Sequence, residues 1–276
     1  MKLGLIAGNG RFPFLVLDAA RRSGHDVTVI ALKSETFPDL EQLAGRAPSA
    51  AFHWISIGQL GTCIRLLKDA GVQQAIMAGQ VKHTRIFADF MPDPTLLDIL
   101  VRLKAQNTDS LIAGVAEALR VNAIELLDST ALLQPLLAPE GLLTKRAPYD
   151  DEPKDLAFGY TLADAIAGLD IGQAIAVKSA AVIAVEAMEG TDALIARAGQ
   201  LAGAGVRIIK VAKPNQDMRF DVPVIGVSTI HAMAAIGATT LSIDAGKTLL
   251  IDGEDVVKAA DEAAIAIVGR AALTRA

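Results

Sequence analysis

The sequence predicts an α/β protein of two mixed α/β domains, the first Rossmann-like with a mainly parallel sheet, with a ligand cleft expected between them. Three observations carry this reading. Short apolar runs alternate with amphipathic stretches of helical length, the pattern of βαβ units. The chain has 276 residues, 52% of them hydrophobic, enough for more than one core. A proline-rich stretch interrupts the alternation near mid-chain. It sets an N-terminal domain at 1–133, a linker at 134–153 and a C-terminal domain at 154–276.

In the first domain, Leu3–Ala7 reads as a buried strand, Pro13–Ser23 as a helix and Val27–Leu32 as a second strand. Pro13 suits a first helical turn, and Arg21, Arg22 and Gly24 make a good stop. Ala51–Ile57 is expected as a strand, Gln59–Ala70 as a helix ending at Gly71, and Gln74–Ala78 as a strand. Helices at Thr95–Gln106 and Ser110–Leu119 and a strand at Ala123–Leu127 complete the domain. Pro135, Pro139, Gly141, Pro148 and Pro153 then break regular structure.

In the second domain, Asp155–Gly168 is amphipathic, and Ala174–Lys178 and Val182–Ala187 read as strands. Asp192–Ala202 is a helix with Thr191 and Asp192 as candidate caps. Strands Arg207–Ala212 and Val222–Val227, helix Thr229–Ile236, a compact β-turn-β at Leu241–Ile251, helix Glu254–Glu262 and strand Ala264–Val268 follow.

Composition narrows the function. A net charge of −5 with no basic run argues against nonspecific nucleic-acid binding. The single cysteine, Cys63, excludes an internal disulfide and disfavours a cysteine zinc site; it reads as a small apolar helix residue. The apolar run after Lys2 is too short for a secretory signal, and no stretch has the length of a membrane span. A cytoplasmic location is expected. His25, His53, His83 and His231 lack metal-ligand spacing, and G-x-S-x-G is absent.

Candidate sites follow strand ends. Gly8-Asn9-Gly10 begins like a dinucleotide fingerprint, but Pro13 stands where its third glycine is needed, and Lys33 follows the second strand. NAD binding is therefore not expected, although helix N-terminal amides there suit a phosphate or sugar hydroxyl. Gly79 and Gln80 leave another strand, where glycine permits close backbone approach, with Lys82 and His83 adding positive charge. Carboxylates, cations and amides concentrate at Glu186–Asp192 and Lys213–Asp221, a mixture suited to phosphates and a divalent cation.

At these residues the chain resembles the UDP-2,3-diacylglucosamine pyrophosphatases of the LpxI type, from lipid A biosynthesis. The resemblance runs nearly end to end, through LGLIAGNGRFP at 3–13, AGQV at 78–81 and LDIGQA at 169–174. VEAMEGTDALI at 185–195, KPNQDMRFDVPVIG at 213–226 and STIH at 228–231 are its specific part. It departs at Asn107-Thr108-Asp109, where family members carry a more acidic segment, so no role is assigned there.

The resemblance implies Mg²⁺-dependent hydrolysis, with Mn²⁺ as the alternative ion, of UDP-2,3-diacylglucosamine to UMP and 2,3-diacylglucosamine 1-phosphate. The family's essential aspartate falls on Asp221, expected as catalytic residue and metal ligand with Asp192 as a second ligand. Lys213 and Arg219 are expected on phosphate oxygens. Glu189, Thr191, Gln216, Gly8, Gly10, Gly79 and Gln80 complete the expected substrate-binding set. The implied partners are an amphiphilic nucleotide-sugar lipid and, transiently, the inner membrane surface, with no nucleic acid; a homodimer is compatible with the sequence. A noncatalytic binding protein for a nucleotide sugar or acyl sugar is the competing reading.

Overall fold

The computed structural model describes residues 1–81, 91–102 and 108–271. The chain divides into two units, Met1–Leu133 with Met218–Phe220, and Gln134–Asp217 with Asp221–Ala276.

The first unit runs β1 (Lys2–Ala7), α1 (Phe12–Arg22), β2 (Asp26–Leu32), α2 (Asp39–Ala44), β3 (Ala51–Ile55), α3 (Leu60–Asp69), β4 (Gln74–Ala78), α4 (Pro94–Arg102), α5 (Thr108–Val121) and β5 (Glu125–Leu126). Its strands lie in the order β3-β2-β1-β4-β5 and every pairing is parallel. Central strands covered on both faces must be apolar at successive positions, and Leu3, Leu5, Val29 and Ile30 are accordingly buried. One side of the sheet closes on Cys63, Ile64 and Leu67 of α3 and Leu119 of α5. The short helix α2 escapes sequence reading because six residues leave too little periodicity. Arg21 of α1 holds it, donating to the carbonyls of Leu43 at 2.9 Å and Ala44 at 2.6 Å at its C-terminal end.

The second unit runs through a 3₁₀ turn (Gln134–Leu136), β6 (Gly141–Leu142), α6 (Glu152–Gly168), β7 (Ala174–Lys178), β8 (Ala181–Val185), α7 (Thr191–Ala202) and β9 (Arg207–Lys210). It continues with β10 (Val224–Ile225), α8 (Val227–Ala235), β11 (Thr240–Asp244), β12 (Leu249–Leu250), α9 (Glu254–Glu262) and β13 (Ala266–Arg270). Six strands form a mixed sheet in the order β6-β13-β11-β9-β7-β8. The pairs β9–β11 and β11–β13 are parallel, whereas β7 runs antiparallel to both neighbours and β6 antiparallel to β13. Helix α6 covers one face through Leu156 and Ala163. The other face packs on α7, α8 and α9 through Leu194, Ile195, Ile230, Met233 and Val256.

Two expectations change here. Residues 134–153, read as a linker from their prolines, are bonded into the second unit. Ala138 N–H donates to Thr248 O at 2.8 Å, Leu143 N–H donates to Ile267 O at 2.9 Å, and β6 pairs with β13. The β-turn-β expected at Leu241–Ile251 is not a hairpin, because β12 pairs in parallel with β10 while β11 joins the main sheet.

Candidate active site

The second sheet presents a row of polar side chains along one edge. Lys210 ends β9, Asp244 ends β11 and Arg270 ends β13, each a charged residue at the carboxyl end of a buried strand. Because β7 runs opposite to β9 and β8 turns back to run with it, Gln173 just before β7 and Glu186 just after β8 reach the same edge. Gly172 makes this closure possible: a Cβ there would collide with the carbonyl oxygen of Glu186. In α/β sheets with parallel strands, the carboxyl ends of those strands are where ligands collect.

Side-chain alternation then sorts this edge onto two faces. On the α6 face, Arg270 donates to Asp164 at 2.8 Å and to Asp244 at 2.7 Å, and its guanidinium lies 4.4 Å from the centre of the Tyr160 ring. Asp244 also accepts the N–H of Ala212 at 2.8 Å, which fixes the chain as it leaves β9. On the opposite face, Lys210 Nζ donates to Thr191 Oγ1 at 2.8 Å, and that hydroxyl donates to Glu186 Oε1 at 2.8 Å. Loss of water lowers the pKa of Lys210, while the charges of Glu186, Asp192 and Asp221 act to raise it.

Asp221 follows the loop that leaves β9. Its carboxylate accepts the side-chain N–H of Gln173 at 3.2 Å and lies 3.4 Å from Lys213 Nζ. Lys213 Nζ also reaches Asp170 at 2.5 Å, so one ammonium spans two carboxylates. The loop is braced by Gln216, whose side chain accepts the N–H of Lys213 at 2.5 Å and donates to Asp221 O at 2.6 Å. Asp221 N–H donates to Asp217 O at 3.0 Å, closing the turn.

The expected site residues distribute as follows. Asp221, Lys213, Gln216, Thr191 and Asp192 belong to the second unit, with Asp192 accepting the hydroxyl of Thr229 at 3.1 Å in the first turn of α7. Glu189 is engaged by its own turn and helix, accepting Ala187 N–H at 3.1 Å and Arg197 at 2.6 Å. Hydrogen bonds from backbone N–H groups and from Arg197 hold its pKa below the usual carboxylate range.

Gly8, Gly10, Gly79 and Gln80 lie in the first unit, where the turns leaving β1 and β4 are zipped together. Gly8 N–H donates to Ala78 O at 2.8 Å and Asn9 N–H to Gln80 O at 2.7 Å. A Cβ on Gly8 would sit 2.6 Å from Gln80 O, and one on Gly79, at φ +89°, would strike Asn9 O. These glycines therefore have a backbone reason to be glycine. Arg219 is exposed within Met218–Phe220, which counts with the first unit, where Ser129 N–H donates to Met218 O at 2.8 Å. Lys82, His83 and Asn107 lie outside the described residues.

Sequence reading missed Lys210, Gln173 and Asp244 as members of this edge. For Lys210 and Asp244 a usable signal existed, a charged residue at the end of a strand; Gln173, neutral and ahead of β7, carries no such mark. Among the described residues, no three of His, Cys, Asp and Glu group closely enough to hold a metal by themselves. A shallow concavity of about 540 Å³ beside Leu137, Pro139, Ala245 and Gly246 shares none of the ionic cluster.

The comparisons with known proteins agree in direction. The model of the LpxI N-terminal domain matches residues 2–136 and that of the LpxI C-terminal domain matches 139–268. The chain is 32% identical over 280 residues to the UDP-2,3-diacylglucosamine pyrophosphatase LpxI of Caulobacter vibrioides, covering 97% of each protein. Among solved structures, the Bordetella bronchiseptica enzyme WbmH in complex with NAD⁺ matches at 18% identity over 44% of this chain and 36% of that one, with a TM-score of 0.29. The UDP-glucose 4-epimerase of Thermus thermophilus in complex with NAD matches at 13% identity, 98% and 86% coverage, and a TM-score of 0.33. Both scores are too low to bear on fold or function. By its two domain matches and its full-length relative, the chain belongs to the LpxI family.

Proposed function

We propose that this chain hydrolyses the pyrophosphate of UDP-2,3-diacylglucosamine, giving UMP and 2,3-diacylglucosamine 1-phosphate, with Asp221 at the reacting centre. The observation that carries the proposal is the end-to-end match to the Caulobacter vibrioides pyrophosphatase. The second-unit cluster supplies the chemistry. Asp221 is about one-third exposed and held by Gln173 and Lys213, so it is oriented yet open to a water molecule, whose proton it can accept. Lys213 brings a cation beside that carboxylate, where it can transfer its contact from Asp170 to a phosphate oxygen. Arg219 is the second candidate for phosphate oxygens.

Asp221 fits Mg²⁺, with Mn²⁺ as the alternative, as an ion that takes most of its ligands from water and substrate phosphates. Asp192 is the proposed second carboxylate. Such an ion would offset the anionic charge that repels the attacking water. The apolar part of the substrate also has a counterpart: Leu169 and Ile171 lie just before Gln173, Met188 lies just after Glu186, and all three are exposed. We assign them to contact with acyl chains at the inner membrane surface.

The test is release of UMP by the purified protein, with and without Mg²⁺ or Mn²⁺. Turnover is expected only with the metal, and Asp221→Asn should be folded yet at least ~100-fold slower. Near-normal turnover of that variant removes Asp221 from the reaction. Binding of the nucleotide lipid without UMP release identifies a carrier instead.

A further inference from the structure

We infer that Lys210 is a positioning residue for Asp221, acting through Thr191, Glu186 and Gln173. The inference rests on the reading of Asp221 given above. It starts from a directional chain of bonds. Lys210 Nζ donates to Thr191 Oγ1 at 2.8 Å, so the hydroxyl proton points onward to Glu186 Oε1 at 2.8 Å. The other oxygen of Glu186 accepts the backbone N–H of Gln173 at 3.2 Å. The side-chain amide of that same Gln173 then donates to Asp221 at 3.2 Å. Each link fixes the next one, from the end of β9 to the carboxylate.

Packing alone does not account for a lysine at position 210. An apolar side chain could end this strand, and replacing a buried charge set by well-packed hydrophobic groups is often neutral or stabilising. Lys210 instead faces the charges of Glu186, Asp192 and Asp221, with a single ammonium set among carboxylates from three chain segments. Those carboxylates repel one another. The ammonium fixes the Thr191 hydroxyl, which keeps Glu186 turned toward Gln173 and thereby holds the Gln173 amide on Asp221. Residues whose supporting bonds are fixed in this way keep the reacting group in place without touching substrate.

The deciding variant is Thr191→Val, which keeps the shape and removes the hydroxyl, beside Lys210→Met, which removes the cation. Each is expected to lower kcat at least ~10-fold with KM within about twofold, while Thr191→Ser restores most of the rate. In an Asp221→Asn background the same changes should cost no further activity, because the relay then has nothing to position. A folded Thr191→Val protein with wild-type kcat overturns the inference, as do losses that multiply with Asp221→Asn. If Lys210→Met does not fold, Thr191→Val and Thr191→Ser decide alone. An inactive Asp221→Asn beside a fully active Thr191→Val removes only the relay; an active Asp221→Asn removes the reading of Asp221 itself.

Discussion

The thiol of Cys63 sits on the inner side of α3 against the parallel sheet, where water cannot solvate a thiolate. Burial, with a smaller contribution from the charge of Asp93, pushes its pKa up to about 12. The reactive form of a cysteine is its thiolate, so this residue is chemically silent despite being the chain's lone cysteine. Labelling by a thiol reagent at pH 8 should be at least ~100-fold slower in the native protein than in urea. Equal rates would mean that α3 opens readily or that the thiol is exposed. The same residue-level logic separates Asp221 from Glu189. Both are loop carboxylates in the sequence, yet Glu189 is engaged by Arg197 of the helix that follows it, whereas Asp221 is held by Gln173 and Lys213. No motif distinguishes these partners, because Gln173 and Asp221 are separated by nearly fifty residues and only the fold joins them.

At the scale of elements, the turns leaving β1 and β4 form a miniature antiparallel bridge between Asn9 and Gln80. Gly79 lies at φ +89° and has no room for a Cβ against Asn9 O, so Gly79→Ala combines backbone strain with a collision. A loss of about 3–4 kcal/mol in urea unfolding is expected, against about 1–2 kcal/mol for Gly10→Ala, which shares the backbone strain at φ +90° but has open space around it. If the two variants lose the same amount, the bridge is not what requires glycine.

These two turns also show what the sequence could disclose. Strands β1 to β4, with helices α1 and α3, were legible because buried parallel strands are continuous apolar runs punctuated by glycine. Strand direction in the second unit was not. The β7–β8 hairpin turns at Ser179 and Ala180, both at positive φ, where a turn signal such as Asn-Gly would be expected. Its N–H groups are held instead by Asp155 of α6, at 3.0 and 2.7 Å, a long-range compensation that local reading cannot see. The candidate site divides for the same reason: Asp221 and Lys213 lie in a polar loop that the sequence marks, whereas Lys210 and Asp244 hide at the ends of buried strands.

For the molecule as a whole, the two units differ in how they hold charge. Among the described residues, the ion pairs of the first unit are exposed contacts one turn apart on a helix: Arg65–Asp69, Arg102–Asp98 and Arg120–Glu117. Such pairs contribute little and are screened by salt. In the second unit the pairs Arg146–Glu152, Arg207–Asp155 and Arg270–Asp244 are largely buried and tie loops and α6 to the sheet. Glu152 is the fully buried one. Burial raises its pKa, but hydrogen bonds from Arg146 and the N–H of Tyr149 outweigh that and leave it below its ordinary 4.5.

A carboxyl group held low contributes stability that is fully present above its ordinary pKa and is lost as pH falls through the folded value. Acid should therefore weaken the second unit through Glu152, while added salt leaves both units nearly unchanged. Glu152→Gln leaves Arg146 largely buried without its counter-charge and should cost about 3–5 kcal/mol at pH 7. Urea unfolding followed by the near-ultraviolet signal of Tyr149 and Tyr160, both in the second unit, measures this. The gap between variant and wild type should narrow as the pH is lowered below 4.5, because the wild type then loses what the variant already lacks. A gap that stays constant from pH 7 to about pH 3 would show that packing around residue 152, rather than its charge, supplies the stability.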